Sequence, residues 1–371
     1  MEFNWTTEHA DLRAAVRRVL ATSAPVARNR ELAESGARRD DDLWMLLAEQ
    51  VGLPALLVPE EHGGVGGSLV DMAVVMEEMG AVLYGGPFLS SAVMATTVLS
   101  AHPDDALSRE LLPRLAEGTL TATVAVVEAS GQWSREAVAT SADPAGRVTG
   151  SKHLVLDGSG ADVVLVLALA AAGPTWFAVE SGAPGLTVTG RTTLDSTRPM
   201  ATLDLRDCAA RRLGEEGAGW TAVEHLRRTA GTLLAAEQVG AAGELVRRTA
   251  EYATTRHQFG RPIGSFQGVK HRLADMAVRH ELALSAAYWA AWQVPGSPPA
   301  ELGSLVARSY CSDALLQTAK DAIQLHGGIG FTWEHDAHLF LRRARLDASL
   351  LGSASGARAA LLAHLTEGAA A

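Results

Sequence analysis

The sequence lacks several features that would assign it to common functional classes. It has only two cysteines, Cys208 and Cys311, far apart and without a CxxC pair, so neither a disulfide framework nor a zinc site is indicated. Its longest apolar run, Val163–Ala172, is shorter than the roughly 20 residues that a membrane-spanning helix needs. The N-terminus shows no basic stretch followed by an apolar one, so no secretory signal is indicated. We therefore expect a cytoplasmic protein that does not insert into a membrane.

Excess positive charge is also absent. The net charge is -10, the arginines are scattered, and nucleic acid is not an expected partner. With 371 residues, 47% of them hydrophobic and 20% charged, the chain has the composition of a folded globular protein with one large core or several smaller ones.

The apolar pattern divides the chain into three regions. Residues 1–119 carry apolar positions at helical spacing, residues 120–214 contain short β-branched runs, and residues 215–371 return to long helical patterns. The last region predicts helices over 220–255, 265–294, 299–325 and 334–365. Such helices need their apolar faces covered by each other or by another subunit, so we expect an oligomer.

Two segments of the last region combine residue types suited to a dinucleotide. In YATTRHQFGRPIGSFQ, Arg256 offers a planar guanidinium for paired phosphate oxygens, and Gln267 can both donate and accept hydrogen bonds. In DAIQLHGGIG, Gly327 and Gly328 allow a ligand to approach the backbone closely. Each residue alone has an ordinary structural explanation, such as a surface glutamine or a helix cap.

Taken together, these segments resemble the flavin-binding half of the acyl-CoA dehydrogenase family. Pro59–Gly67 (PEEHGGVGG), followed by the Glu77–Glu78 pair, is similar to a recurrent pattern of the family's N-terminal region. The resemblance covers essentially the whole chain. It implies an α+β fold with an N-terminal α-helical domain (1–119), a middle β-barrel or sandwich domain (120–214) and a C-terminal four-helix bundle (215–371).

The resemblance also implies FAD as cofactor, an acyl-CoA thioester as substrate and an electron-transfer flavoprotein as electron acceptor. It implies that the motif residues of one subunit reach the flavin of a neighbouring subunit. No GxGxxG motif follows a strand, so a Rossmann turn is not expected to hold the flavin. The cofactor-binding residues that the resemblance assigns are Arg256, Phe259, Gln267, Gln324, Gly327 and Gly328.

The chain departs from the family pattern at the catalytic base. The resemblance implies a carboxylate that removes the substrate's α-proton, yet the two positions that family members use for it are Leu351 and Ala230 here. The carboxylates nearest in sequence are Asp347, Glu224 and Glu237, each displaced along its helix. The sequence therefore predicts no catalytic residue of its own.

The middle region departs from the pattern as well. Val127–Arg135 keeps Glu128 but loses the family's GSD segment, and in Gly150–Asp157 the places of an aromatic residue and a hydroxyl residue are taken by Leu154 and Leu156. Leucine cannot form a hydrogen bond with the flavin ring, although it can pack against it.

Three hypotheses follow from this pattern of losses. The first is a base-lacking subunit of a hetero-oligomer that completes its partner's FAD site, and it resembles the paired acyl-CoA dehydrogenases of bacterial steroid catabolism. The second is a self-sufficient homotetramer with a relocated base or different chemistry on the same fold. The third is a flavin-free scaffold or regulator. The retained arginine, glutamine and glycine set argues against it, because a scaffold has no need of residue types suited to a pyrophosphate.

Overall fold

The computed structural model describes residues 5–36 and 39–369, so the predicted first and last domains extend a few residues outside the described part. The α-helices are Thr7–Ser23 (α1), Val26–Ser35 (α2), Asp41–Met45 (α3), Leu69–Ala81 (α4), Thr96–Ser100 (α5), Ala106–Ala116 (α6), Gly219–Thr255 (α7), Gln267–Ala291 (α8), Pro298–His326 (α9), Ala337–Asp347 (α10) and Ala354–Ala369 (α11). Leu46–Gln50 and Phe88–Ala95 are π-helical, and short 3₁₀ turns include Gly327–Phe331.

The strands are Ala122–Ala125 (β1), Ser141–Ala142 (β2), Arg147–Leu156 (β3), Val163–Ala170 (β4), Gly173–Glu180 (β5), Leu186–Arg191 (β6), Met200–Ala209 (β7), Arg211–Leu213 (β8), His257–Gln258 (β9) and Arg261–Pro262 (β10). The first eight form one sheet in the order β6-β7-β3-β2-β4-β5-β8, with β1 parallel to β4. The last two form a separate hairpin.

By contacts the chain divides into two compact units. Unit 1 comprises residues 1–30, 69–84 and 231–371, and unit 2 comprises residues 31–68 and 85–230. The three-domain division drawn from the sequence stays a prediction.

Unit 2 is built around the sheet. The apolar run of β4 is buried along most of its length because both of its sides are covered by packed residues, whereas β6 lies at the end of the strand order and is largely exposed. Val148, Val166, Phe177 and Leu203 are among the residues of its core. The long strands β3 and β7, which pair with each other, were not singled out by the β-branched pattern because glycine, charged and polar residues interrupt them.

Unit 1 is helical, and its packing depends on small residues. A Cβ on Gly80 of α4 would lie 1.9 Å from the Glu237 carbonyl oxygen, and one on Gly240 of α7 would lie 1.8 Å from the Glu77 carbonyl oxygen. The backbones of α4 and α7 therefore touch at positions where no side chain other than hydrogen fits.

A buried arginine links three segments of unit 1. Arg343 of α10 is 1% exposed and donates to Glu237 Oε1 of α7 at 2.5 Å, while its other Nη atom donates to the carbonyl oxygens of Leu83 and Tyr84. This arrangement ties the segment that follows α4 to two C-terminal helices.

The helices predicted from the sequence over 220–255, 265–294 and 299–325 correspond to α7, α8 and α9 within a few residues. The single helix predicted over 334–365 is wrong, because α10 and α11 are separated by a turn at residues 348–353. Leu351 and Gly352 both have positive φ angles there, of 56° and 97°, which a continuous α-helix does not accommodate.

Candidate functional site: an exposed cradle on the helical unit

The Arg256 segment is a hairpin that follows the end of α7. The Arg256 N–H donates to the Tyr252 carbonyl, and the Arg256 carbonyl accepts from the Ile263 N–H at 2.8 Å, so the backbone on both sides is fixed. Phe259 and Gly260 form the two-residue turn between β9 and β10 with φ angles of 53° and 77°. This is the left-handed geometry that twisted hairpins favour, and it leaves the Phe259 side chain 92% exposed.

The base of the hairpin is an aromatic and cationic cluster. The Arg261 guanidinium lies 4.1 Å from the centre of the Phe266 ring, and the Phe259 ring meets the Phe266 ring edge to face at 6.2 Å. Gln267 follows directly as the first residue of α8 and is exposed.

The Gln324 segment lies at the C-terminal end of α9. Gln324 is exposed in the last turn, and the Gly327 N–H caps the helix by donating to the Ile323 and Gln324 carbonyls. Gly327 has φ 65° and ψ -142°, a conformation that is essentially restricted to glycine. Neither Gly327 nor Gly328 has any atom within 4 Å of the place where a Cβ would stand. Apart from their chain neighbours, none of the described residues therefore fills the space within 4 Å of these two Cβ positions.

Three aromatic rings connect the two segments. The Tyr252 ring stacks on the His326 ring with 4.4 Å between centroids and an interplanar angle of 26°, and the His326 ring lies 4.4 Å from the His335 ring. The Tyr252 hydroxyl also donates to the His326 carbonyl. Because Tyr252 precedes Arg256 by one helical turn and His326 precedes Gly327, the stack brings the hairpin and the glycine segment to the same end of unit 1.

All six residues assigned by the sequence resemblance are exposed on this unit. We call this set the exposed cradle: Arg256, Phe259, Gln267, Gln324, Gly327 and Gly328. Sequence reasoning missed the Tyr252, His326 and His335 rings that join its parts, although two of them stand inside the quoted motifs. Tyr252 lies one helical turn before Arg256, and His326 lies next to Gly327. An aromatic residue beside a motif residue was therefore the sequence feature that could have identified them.

The positions expected to hold the catalytic base are apolar and buried. Leu351 is 2% exposed in unit 1, and its carbonyl accepts a hydrogen bond from Arg308. Ala230 is fully buried in unit 2. Neither side chain can accept a proton.

The three carboxylates considered as substitutes have different environments. Glu237 is 3% exposed and is engaged by Arg343, so it balances a buried charge. Glu224 is exposed on α7. Asp347 is buried at the end of α10, one turn before Leu351.

In the middle region, the retained Glu128 is engaged within the unit. Its carboxylate accepts from the Ala139 and Thr140 N–H groups and from Lys152 Nζ at 2.7 Å, and Lys152 is fully buried. Burial opposes ionisation of Glu128, but the bonds from Lys152 and Thr140 outweigh it and hold the Glu128 pKa below its ordinary value. Burial also opposes the charged form of Lys152, and it lowers the pKa of that side chain.

Leu154 and Leu156 differ in exposure. Leu154 is half exposed, with φ 53°, where the register between β3 and β7 shifts. Leu156 is buried, and its carbonyl accepts from the Thr123 hydroxyl. Only Leu154 of this pair therefore has an apolar side chain at the surface.

Comparison with known proteins assigns the family. The model of the acyl-CoA dehydrogenase N-terminal domain matches residues 6–119, and the model of the acyl-CoA dehydrogenase C-terminal domain matches residues 217–365. The chain belongs to the acyl-CoA dehydrogenase family. This membership confirms the predicted fold: a helical N-terminal domain, a middle sheet domain and a helical C-terminal domain.

Relatives of known name agree with this assignment. The acyl-CoA dehydrogenase IpdE2 of Mycobacterium tuberculosis (strain ATCC 25618 / H37Rv) is 37% identical over 93% of both chains. A variant of the Tcur3481-Tcur3483 steroid acyl-CoA dehydrogenase is 32% identical with a TM-score of 0.86, covering 98% of this chain and 99% of the other. The ChsE4-ChsE5 complex from Mycobacterium tuberculosis is 29% identical with a TM-score of 0.88, covering 99% of each.

The family is FAD-dependent, and FAD is the cofactor of this protein. The exposed cradle fits such a group, because it combines a permanent cation, two amides and a glycine pair with open space above it. Bound FAD would supply the hydride acceptor that acyl-CoA dehydrogenase chemistry requires. Within residues 5–36 and 39–369, no helix is long and apolar enough to cross a bilayer.

Proposed function

We propose that this chain is the base-lacking subunit of a heteromeric acyl-CoA dehydrogenase, a heterotetramer in which a homologous subunit carries the catalytic carboxylate and most of the flavin platform. The reaction of the complex is the FAD-dependent α,β-desaturation of an acyl-CoA thioester, with an electron-transfer flavoprotein as acceptor. The setting is lipid metabolism, specifically bacterial steroid catabolism, in the cytoplasm.

The observation that carries this proposal is a contrast between lost and retained groups. Both base positions hold buried apolar residues, Leu351 and Ala230, whereas the exposed cradle is complete. The lost groups are those that a subunit supplies to its own active site, and the retained ones are those that the family donates to a neighbouring subunit. Two similar solved structures are each named for two components, ChsE4-ChsE5 and Tcur3481-Tcur3483.

In this complex, Arg256 binds the flavin pyrophosphate through its guanidinium, and Gln267 and Gln324 supply amide donors and acceptors. Gly327 and Gly328 let the backbone approach the cofactor, and Phe259 packs against it with its exposed ring. These residues bind and orient the cofactor, and proton removal from the substrate is left to the partner's carboxylate.

The first test is the colour of the protein. Expressed alone, the chain is expected to purify without bound flavin, and together with a second acyl-CoA dehydrogenase subunit it is expected to give a yellow complex. In that complex Arg256→Ala lowers the flavin content, whereas Arg358→Ala, on the exposed face of α11, leaves it unchanged. Full flavin content in the Arg256→Ala complex would contradict the proposal, as would a stoichiometrically yellow protein from the chain alone.

The second candidate function is a self-sufficient homotetramer with a relocated base, and buried Asp347 is the observation that favours it. Its test is turnover by the chain alone, and its loss in Asp347→Asn. Under the first proposal, neither wild type nor Leu351→Glu turns over acyl-CoA without the partner.

A further inference from the structure

The His326 side chain lies where helix α9 ends and the glycine segment begins. His326 is the last residue of α9, and the 3₁₀ turn Gly327–Phe331 starts directly after it. That turn folds back on the His326 side chain, since a Cβ on Gly330 would lie 3.0 Å from the His326 Cβ. His326 is 4% exposed, so its ring lies in the interior beside this turn and not in solvent.

The hydrogen bonds of His326 select a neutral ring. Nδ1 lies 2.7 Å from the Ala322 carbonyl oxygen, so Nδ1 carries the proton and donates. Nε2 is buried and has no hydrogen-bond partner among the residues that the structure describes. A second proton at Nε2 would create a buried N–H without an acceptor, next to another imidazole.

The charged groups around the ring do not compensate such a proton. His335 contacts the ring from the turn before α10, and Tyr252 contacts it from α7. The adjacent carboxylate of Asp336 is already engaged by Arg248 of α7 at 2.9 Å and lies 4.0 Å from Arg30 of α2. On α10, His338 is a further imidazole close to the same charges.

We propose that His326 is a proton-sensitive positioning residue: its neutral ring, in contact with Tyr252 and His335, holds the Gly327–Phe331 turn in line with the Arg256 hairpin, and protonation releases that turn. Burial lowers the pKa of His326, with a smaller opposing effect of the Ala322 carbonyl, and it also lowers the pKa of His335. The consequence for flavin retention rests on the proposed function, whereas the ordering of the turn does not.

The lowered pKa of His326 fixes the direction in which pH affects the ordered turn. A histidine whose pKa is lower in the ordered state than its ordinary 6.5 favours the ordered turn above that pH, and the preference is lost as the pH falls below it. At one pH unit below 6.5, the imidazole of a released turn is mostly protonated, whereas that of the ordered turn stays neutral. The equilibrium between released and ordered turn therefore shifts towards release by up to about tenfold.

Hydrogen exchange of the full chain, measured by mass spectrometry over residues 327–332 and corrected for the intrinsic pH effect, tests this without flavin. Between one unit above and one unit below pH 6.5, the wild type is expected to lose protection by about threefold to tenfold. His326→Phe keeps a neutral ring and is expected to show a smaller change, with His335 left as the remaining buried imidazole, and His326→Gln gives a second neutral side chain should the first variant fold poorly. His364→Gln, on the exposed face of α11, is the matched control and behaves as wild type.

A wild-type change below about threefold overturns the proposal. An unaltered pH response in both His326 variants also overturns it. Flavin retention by the complex at the same two pH values separates this proposal from the previous one. If protection of the turn changes with pH while the flavin content of the complex does not, the positioning role of His326 stands, and the role of the exposed cradle in flavin binding is contradicted.

Discussion

Replacing Arg343 by methionine should strongly destabilise the helical unit. The side chain is 1% exposed and its partner Glu237 is 3% exposed, so removing the guanidinium leaves a buried carboxylate without its 2.5 Å partner. It also removes the donors to the Leu83 and Tyr84 carbonyls. Losing one member of a buried pair costs about 3–5 kcal/mol of unfolding free energy.

For a unit of this size, such a loss corresponds to a decrease in melting temperature of roughly 6–20 °C, measurable by calorimetry or by circular dichroism. The double variant Glu237→Leu with Arg343→Met replaces both charges by apolar groups and should recover most of the loss, because neither member of the buried pair then remains without the other. Arg358→Met is the control: it breaks an exposed pair with Asp313 and should cost at most about 1 kcal/mol.

Two results would refute this reasoning. One is an Arg343→Met variant that melts within a degree or so of wild type, which would mean that the pair contributes little. The other is a double variant no more stable than the single one, which would mean that the lost stability comes from packing and not from the stranded carboxylate.

Two further predictions concern other parts of the fold. Gly80→Ala should destabilise the protein by about 1–3 kcal/mol or more, because the new methyl group meets the Glu237 carbonyl. The control Gly268→Ala has open space at its Cβ position and should be neutral or stabilising by about 0.5–1 kcal/mol. Equal melting temperatures for the two variants would disprove the close approach of α4 and α7. The Glu128 carboxylate, whose pKa is lowered, should contribute stability above its ordinary pKa of 4.5 and lose it as the pH falls through the lower value in the folded protein. Denaturant unfolding over that range should therefore show a smaller acid-induced loss in Glu128→Gln than in wild type, with Glu136→Gln as the exposed control, and parallel curves would count against it.

The sequence predicted the long helices α7, α8 and α9 because their apolar positions recur over many turns. It did not predict the break before α11, since the turn at Leu351 carries a residue that does not normally favour a left-handed backbone. The strands β3 and β7 were missed because glycine, charged and polar residues interrupt their apolar pattern, and their pairing joins segments about fifty residues apart, which local periodicity does not report.

For the site, residue types and spacing identified the exposed cradle, but not what holds its parts together. The contact of Tyr252 with His326 joins α7 to the end of α9 across 74 positions, so it became visible only in three dimensions. The engagement of Glu237 by Arg343 likewise depends on tertiary packing, and it could not be distinguished from a candidate base in the sequence.

The division of the chain into discontinuous units has a consequence for its synthesis. Unit 2 is complete once residue 230 has emerged from the ribosome, whereas the early segments of unit 1, residues 1–30 and 69–84, must wait for residues 231–371. Residue 371 follows residue 84 by 287 positions, so at the usual rate of about 5–20 residues per second the wait is roughly 14–57 seconds. During it, apolar side chains of these segments, such as Leu20 and Met72, lack any final partners that lie in residues 231–371, so the nascent chain should depend on chaperones more than its length alone suggests.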